Sequence, residues 1–365
     1  LSHVHSLIKQ VIGTEVNVIF RVDASPAIGM GHLMRCLALA QALEKSSVHT
    51  FFAIYESSLV LCQSRNDWVG QLLVVPEDLD VSKEALWLES VVREHRIDAL
   101  VLDGYQFNRA YRQTISNLSC ANILFDDNNN SGSLHSNMVI NGAENASLLG
   151  YNQSAPKAFY CVGSEYRILR QEFTHGRQSN WEQRDLLSIC MGGSDPNNLL
   201  LPLLAALQTQ SFDAPICVIT GGAYQQLDKL QTFIEAGDLK FEHIHNCQNM
   251  ADIFKQSKLV ISAAGGTQFE LLACQTPSLL LVVADNQLNA TEHASQQGWC
   301  VMADVRAAVD FNLLARQIIK MWGREEKLKL MCAAAKQHDS VVGTQKVVEA
   351  ISELVKIQHT VKKGR

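Results

Sequence analysis

The sequence predicts an α/β protein of two Rossmann-like domains, each a parallel sheet flanked by helices. Three observations carry this reading. The chain has 365 residues, a length natural for two cores rather than one. Apolar runs of strand length alternate with segments of helical spacing, and the pattern restarts at Leu186. The glycine-rich turns fall where strands end and helices begin, which is where open parallel sheets take their ligands.

Each element follows from its local pattern. The β-branched run Val16 to Val22 reads as the first strand, and Leu33 to Lys45 as a helix with apolar Leu33, Leu37, Ala40 and Leu43 on one side. His49 to Ile54 and Leu72 to Val75 read as strands, and Lys83 to Glu94 as a helix. Ala99 to Leu102 is a strand ending in Asp103-Gly104-Tyr105. Asn108 to Leu118 is helical, and Asn122 to Phe125 is a strand running into Asp126-Asp127. Met138 to Ile140 and Phe159 to Val162 close the first half. The polar stretch Gln171 to Asp185 has little periodicity and reads as the linker between domains.

In the second half, the strand Leu186 to Cys190 precedes Met191-Gly192-Gly193-Ser194-Asp195-Pro196 and a helix from Asn197. Ile216 to Thr220 precedes Gly221-Gly222 and a helix from Tyr224. Phe241 to Ile244 is a strand and Met250 to Gln256 a helix. Leu259 to Ser262 leads into Gly265-Gly266-Thr267 and the helix Gln268 to Cys274. Ser278 to Val283 leads to Asp285-Asn286-Gln287 and a further helix. Three amphipathic segments from Phe311 to Val355 read as caps of a domain, since an apolar stripe is usually core. The expected organisation is an extension over 1–15, domains over 16–175 and 180–356, and a tail over 357–365.

Composition narrows the function. Apolar residues make up 47% of the chain and charged residues 19%, which describes a globular protein with a large buried fraction. With 37 acidic residues against 31 basic and a net charge of −6, there is no concentrated basic face, so nucleic acid is not an expected partner. No apolar run reaches the length of a membrane span, and membrane insertion is not expected. The ten cysteines are scattered without a Cys-x-x-Cys pair, which points to a reducing, cytoplasmic setting and away from a structural zinc.

The candidate chemistry lies at the glycine turns. The first strand ends in a short loop closing on Gly29-x-Gly31-His32, where a helix begins. Glycines at such a turn let backbone N–H groups approach a ligand, and the helix N-terminus favours an anion. His32 adds the side chain best suited to exchanging a proton near neutral pH. A dinucleotide fingerprint does not fit: its third glycine position is Met34, and Glu56 lies beyond the offset expected for a ribose-binding acid. Gly192-Gly193-Ser194 and Gly265-Gly266-Thr267 could together cradle a diphosphate. Glu270, one helical turn beyond Thr267, could take the two hydroxyls of a ribose. No Gly-Lys-Ser/Thr follows these turns, so none is a P-loop. No Gly-x-Ser-x-Gly elbow supports a serine nucleophile.

These residues make the chain recognisable. Phe20-Arg21-x-Asp23, Ile28-Gly29-x-Gly31-His32-x-x-Arg35, Asp103-x-Tyr105, Phe125-Asp126-Asp127, Leu169-Arg170-x-Glu172-Phe173, Ile189-Cys190-Met191-Gly192-Gly193-Ser194-Asp195, Ile261-Ser262-Ala263 with Glu270, and Asn286-Gln287 span about Val16 to Asp304. In them the chain resembles the bacterial UDP-sugar hydrolases of the pseudaminic acid pathway. These remove UDP from UDP-2,4-diacetamido-2,4,6-trideoxy-β-L-altropyranose and are relatives of the GT-B glycosyltransferases.

The resemblance implies a GT-B-like fold, two Rossmann-like domains with a cleft between them, and a UDP-sugar substrate. It implies no cofactor and no metal, and it leaves room for association with other enzymes of the pathway. It implies that His32 is the base activating water for inverting attack on the anomeric carbon. Asp23 either orients His32 or binds the sugar. Arg21, Gly29 and Gly31 belong to the same substrate-binding motif. Tyr105 and Arg170 are candidates for sugar contact or site support, with an interdomain ion pair as the alternative for Arg170. Gly192, Gly193, Ser194, Gly266 and Thr267 would meet the phosphates, Glu270 the ribose, and Asn286 and Gln287 the nucleotide. Two other readings stand beside this one: a GT-B glycosyltransferase passing the sugar to an acceptor, and a non-catalytic nucleotide-sugar binding protein. His243-x-His245 is read as a surface pair, and Asp126-Asp127 as diverging strand-end residues without a catalytic role.

Overall fold

The computed structural model describes residues 16–25, 28–174, 180–237, 240–338 and 341–363. The expected extension over 1–15 lies outside them, as do His175, Gly176 and Arg177 of the expected linker. The described chain divides into two compact units, 16–24 with 32–171 and 342–363, and 25–31 with 172–341.

The first unit carries a seven-stranded sheet of order β3-β2-β1-β4-β5-β6-β7, parallel throughout. Its strands are β1 (Val16–Val22), β2 (Val48–Ile54), β3 (Gln71–Val74), β4 (Ala99–Asp103), β5 (Ala121–Phe125), β6 (Met138–Asn141) and β7 (Phe159–Val162). Between them lie α1 (Gly31–Lys45), α2 (Glu56–Gln63), α3 (Val81–Glu94), α4 (Arg109–Ile115) and α5 (Tyr151–Ser154); α6 (Gln171–Thr174) follows β7 and passes into the second unit at Glu172. All five residues of β4 and of β5 are buried, as expected of parallel strands covered on both faces. Helix α3 starts where Asp80 accepts the Lys83 amide at 2.9 Å, and α4 where Asn108 accepts the Tyr111 amide at 3.0 Å. Leu88, Val91 and Val92 of α3 pack on Ile19, Leu100 and Leu102 of the sheet, each such side chain contributing about 1.5–3 kcal/mol of burial.

The second unit carries a six-stranded parallel sheet of order β10-β9-β8-β11-β12-β13. Its strands are β8 (Leu186–Cys190), β9 (Ile216–Thr220), β10 (Phe241–His245), β11 (Ser257–Ala263), β12 (Ser278–Val282) and β13 (Cys300–Asp304). Its helices are α7 (Leu200–Thr209), α8 (Leu227–Ala236), α9 (Met250–Gln256), α10 (Thr267–Ala273), α11 (Asp285–Gln296), α12 (Phe311–Trp322) and α13 (Glu325–His338). Leu187, Ile189, Val218 and Ile261 form the centre of its core with Leu203, Leu207 and Ile318.

Several expectations are corrected. The last helix, α14 (Gly343–Lys363), groups with the first unit and not with a domain over 180–356, and it runs through the stretch expected to be a tail. Its N-terminus explains why. A Cβ on Gly343 would collide with the Arg167 backbone. Thr344 Oγ1 accepts the Leu169 amide at 3.0 Å and donates to the Leu169 carbonyl at 3.3 Å. Farther along, His359 Nε2 lies 2.6 Å from Asp98. Helix α2 and strand β13 had no counterpart in the sequence reading. Helices α7 and α8 start three residues later than expected, at Leu200 and Leu227 rather than Asn197 and Tyr224.

A buried ionic cluster underlies β1. Arg21, 1% exposed, donates from Nε to Glu84 at 2.6 Å and from Nη1 to Asp23 at 2.5 Å. It stacks on Tyr55 and Phe107 at 4.5 and 5.1 Å, and the Tyr111 hydroxyl donates to Glu84 at 2.7 Å. Removing one partner of such a group leaves uncompensated buried charge. Arg21→Met is expected to destabilise the protein by about 3–5 kcal/mol. Urea unfolding checks this, and an unchanged midpoint would contradict it.

Candidate functional site

Both sheets reverse their winding at one point, between β1 and β4 in the first and between β8 and β11 in the second. The crevice outside such a reversal is where open α/β sheets bind ligands, and the expected site loops lie there.

The loop after β1, which groups with the second unit, turns with Gly29 at a φ of 80° and its amide donating to the Ser25 carbonyl at 2.7 Å. That backbone suits glycine. Helix α1 then opens at Gly31-His32. The register sets Val22 opposite Asp103, which brings the end of β4 to the start of α1. His32 Nδ1 lies 2.7 Å from Asp103 Oδ1. Asp103 is 0% exposed and the His32 side chain 12%. Among the described residues, Nε2 of His32 takes no hydrogen-bond partner.

Arg35, one turn along α1, donates from Nε and Nη2 to Asp103 at 2.5 and 2.6 Å and from Nη1 to Asp127 at 2.7 Å. It stacks on Phe125 at 4.8 Å. The Tyr105 hydroxyl donates to Asp127 at 2.6 Å, and its ring meets His32 edge-on at 4.9 Å. Burial alone would raise the Asp103 pKa, but Arg35 and His32 outweigh it and hold the carboxyl below its ordinary range. For Asp127, desolvation likewise opposes ionisation, and Arg35 with the Tyr105 hydroxyl brings the pKa down to about 2.

A depressed carboxyl pKa stabilises the fold above the unfolded-state value and loses that contribution as pH falls through the folded-state value. With an unfolded Asp near 3.9 and Asp127 at about 2, the window runs from about pH 4 down to about pH 2. Asp127→Asn is expected to flatten the acid side of the stability profile there. Denaturant titrations at stepped pH read this, and parallel profiles would contradict it.

The structure separates the other expected residues of the first unit. Asp23 does not orient His32. Its carboxylate accepts from Arg21, from the Tyr55 amide at 2.8 Å and from Gln106 at 3.3 Å, and Asp103 holds the imidazole instead. Arg21, enclosed by the cluster beneath β1, has no open face for substrate. Arg170 is buried in the first unit, where its charge helps keep Asp67 ionised. Asp126 and Asp127 diverge: Asp126 accepts the Asn128 and Asn129 amides at 3.2 and 2.6 Å, while Asp127 meets Arg35.

In the second unit, Gly192 has a φ of 78° and open space where a Cβ would stand. A Cβ on Gly221 would strike the Gly193 backbone, so the turns after β8 and β9 stack through glycine. Asp195 accepts the Leu199 and Leu200 amides at 2.9 and 3.0 Å, where α7 begins. Ser194 is 8% exposed, and its hydroxyl has no hydrogen-bond partner among the described residues. The Tyr224 hydroxyl and Gln268 Oε1 share that condition. Buried polar atoms are normally paired; these three stand after the carboxyl ends of β8, β9 and β11.

Gly266 and Thr267 open α10, on which Glu270 lies half-buried. Asn286 and Gln287 stand in the first turn of α11, and Gln287 Oε1 accepts the Val283 amide at 2.9 Å. Tyr224 and Gln268 each lie just beyond a glycine turn and carry no sequence signal that assigns them a role. Asp103 and Arg35 stand in the motifs with no role expected of them. His243 and His245 bracket the Thr220 hydroxyl at 2.9 and 3.0 Å. Among the described residues, no three His, Cys, Asp or Glu side chains are grouped to hold a metal, and no helix is long and apolar enough to cross a membrane.

Known proteins resemble this chain in fold and sequence. Residues 187–352 match the glycosyltransferase family 28 C-terminal domain. The whole fold is GT-B-like: it superposes on Acinetobacter baumannii MurG with a TM-score of 0.62 at 15% identity, covering 93% of this chain and 99% of that one. The chain is 28% identical over 269 residues to an uncharacterized protein of Methanocaldococcus jannaschii, across 71% of its own length but only 54% of that relative's. It is 25% identical to the Bacillus subtilis spore coat polysaccharide biosynthesis protein SpsG, covering 74% of this chain and 78% of that one. It is 27% identical to the UDP-2,4-diacetamido-2,4,6-trideoxy-beta-L-altropyranose hydrolase of Campylobacter jejuni, covering 76% of this chain and 95% of that one.

Proposed function

We propose that this protein is a nucleotide-sugar hydrolase that releases UDP from a UDP-diacetamido-trideoxy sugar, with His32 as the base. The observation that carries the reading is the pairing of His32 Nδ1 with buried Asp103 at 2.7 Å, which leaves Nε2 unpartnered among the described residues at the sheet's switch point. A base so held is what water activation requires. Water attacks the anomeric carbon while Nε2 takes its proton. The bond from that carbon to the β-phosphate oxygen breaks, and UDP leaves with the electron pair.

The nucleotide is assigned to the second unit. The N–H groups of Gly192, Gly193 and Ser194 and the start of α10 at Gly266-Thr267 offset the diphosphate charge. Glu270 is assigned to the ribose hydroxyls, and Asn286 and Gln287 to the nucleotide side. Tyr105 is assigned to the wall beside the sugar. The diacetamido altrose configuration rests on the resemblance to the Campylobacter jejuni hydrolase.

The match to a glycosyltransferase domain favours a second reading, transfer of the sugar to an acceptor. UDP release from the diacetamido UDP-altrose, followed by phosphorus NMR with no acceptor present, separates the two. Turnover supports hydrolysis. Turnover only when an acceptor is added favours transfer. Binding of UDP without release from any donor sinks both and leaves a binding protein.

A further inference from the structure

We propose that Arg35 sets the tautomer of His32 through Asp103, and so acts as a positioning residue for the proton transfer. The kinetic arm of this inference rests on the hydrolase reading; its spectroscopic arm does not.

An ionised carboxylate can only accept hydrogen bonds. While Asp103 is ionised, the proton in its 2.7 Å contact with His32 belongs to Nδ1, and Nε2 carries the lone pair a base needs. A neutral Asp103 could instead donate to Nδ1. The ring proton would then sit on Nε2, and the base would be lost. Asp103 is fully enclosed, and enclosure by itself favours the neutral acid.

Arg35 decides the balance. Its Nε and Nη2 engage both Asp103 oxygens at 2.5 and 2.6 Å, the two-pronged geometry that suits a carboxylate. The other titratable groups facing Asp103 or Arg35 are His32, Cys36, whose thiol lies 3.5 Å from Asp103 Oδ2, Tyr105 and Asp127, with Tyr151 behind Asp127. None of these carries a fixed positive charge. Arg35 is itself held by both Asp127 oxygens, at 2.7 and 3.3 Å, and by the Phe125 ring. Its Nη2 stands 3.2 Å from His32 Nδ1, a contact whose polarity follows the tautomer that the spectra below read. The spacing of His32 and Arg35, three residues apart on α1, brings both side chains to one face.

The test uses protein labelled with nitrogen-15 at histidine, with the His32 signals assigned by their loss in His32→Ala. Long-range proton–nitrogen spectra at about pH 8 distinguish the two neutral imidazole tautomers. The wild type is expected to show the Nδ1–H form. Arg35→Met is expected to shift His32 towards Nε2–H and to lower kcat by about tenfold or more. Arg35→Lys is expected to recover part of each effect. Asp127→Asn, which releases Arg35 without touching His32, moves the same readouts less, and it decides the matter if Arg35→Met does not fold. A folded Arg35→Met that keeps the Nδ1–H form overturns the inference. If the wild type releases no UDP from the donor, the hydrolase reading fails, while the tautomer spectra still decide the role of Arg35.

Discussion

His32→Ala is expected to lower kcat for UDP release by about 10²- to 10⁴-fold, the range that a positioned general base supplies. The cause is local. His32 stands at the opening of α1, and its Nε2 is the base assigned to the attacking water. UDP binding is expected to survive, because the residues assigned to the nucleotide belong to the second unit and none depends on the imidazole. A loss confined to kcat, with UDP affinity kept, identifies an interaction made in the transition state. Calorimetric titration with UDP beside steady-state kinetics measures both. A variant with unchanged kcat would remove His32 from the chemistry altogether.

Asp103→Asn carries the second large effect, and its direction follows from hydrogen-bond polarity. The substituted amide has one oxygen where Arg35 now engages two, Nε on Oδ2 at 2.5 Å and Nη2 on Oδ1 at 2.6 Å; with its oxygen kept on Nε, its NH₂ takes the Oδ1 place and faces His32 Nδ1. The ring would then have to accept there and carry its proton on Nε2, the wrong tautomer for a base. A loss of about 10²-fold or more in kcat is expected. The double variant with His32→Ala should fall little below His32→Ala alone, because the two residues act as one unit. Fully additive losses in that cycle would show that Asp103 acts independently of the imidazole.

The parts of the fold legible in the sequence are those written in local pattern. Strands β4 and β9 are buried along their whole length and so read as unbroken apolar runs. The turn at Gly192 is legible because its positive φ favours glycine. Strand β13 escaped because Cys-Val-Met-Ala-Asp, at a sheet edge, is only partly buried and lacks a β-branched run. Helix α2 is a short segment that follows β2 almost at once, and its Ser57-Ser58 start weakens the apolar signal. The docking of α14 on the first unit depends on Thr344 and Leu169, 175 residues apart, and no local pattern can announce that.

The candidate site divides in the same way. His32 and the glycine turns could be found because their chemistry is concentrated in a few adjacent residues. The choice between Asp23 and Asp103 could not, because both end strands beside the same helix. What decides it is the β1–β4 register, which sets Asp103 opposite Val22, together with Arg21, which claims Asp23 from below. The motif Leu169-Arg170-x-Glu172-Phe173 shows a related limit. Arg170 is buried in the first unit, whereas in the second Glu172 accepts the Ala251 amide at 3.1 Å and Phe173 packs near Phe254. A run that looks like a site motif thus also serves to anchor the chain where it passes from one unit to the next.

The central claim is that water, taken up through His32, attacks the anomeric carbon of a UDP-sugar. Turnover of the diacetamido UDP-altrose in oxygen-18 water, with no acceptor and with mass analysis of both products, tests it most directly. The expected result is one heavy oxygen in the free sugar and none in UDP. Heavy oxygen in UDP would place the attack at phosphorus, and no turnover at all without an acceptor would contradict hydrolysis itself.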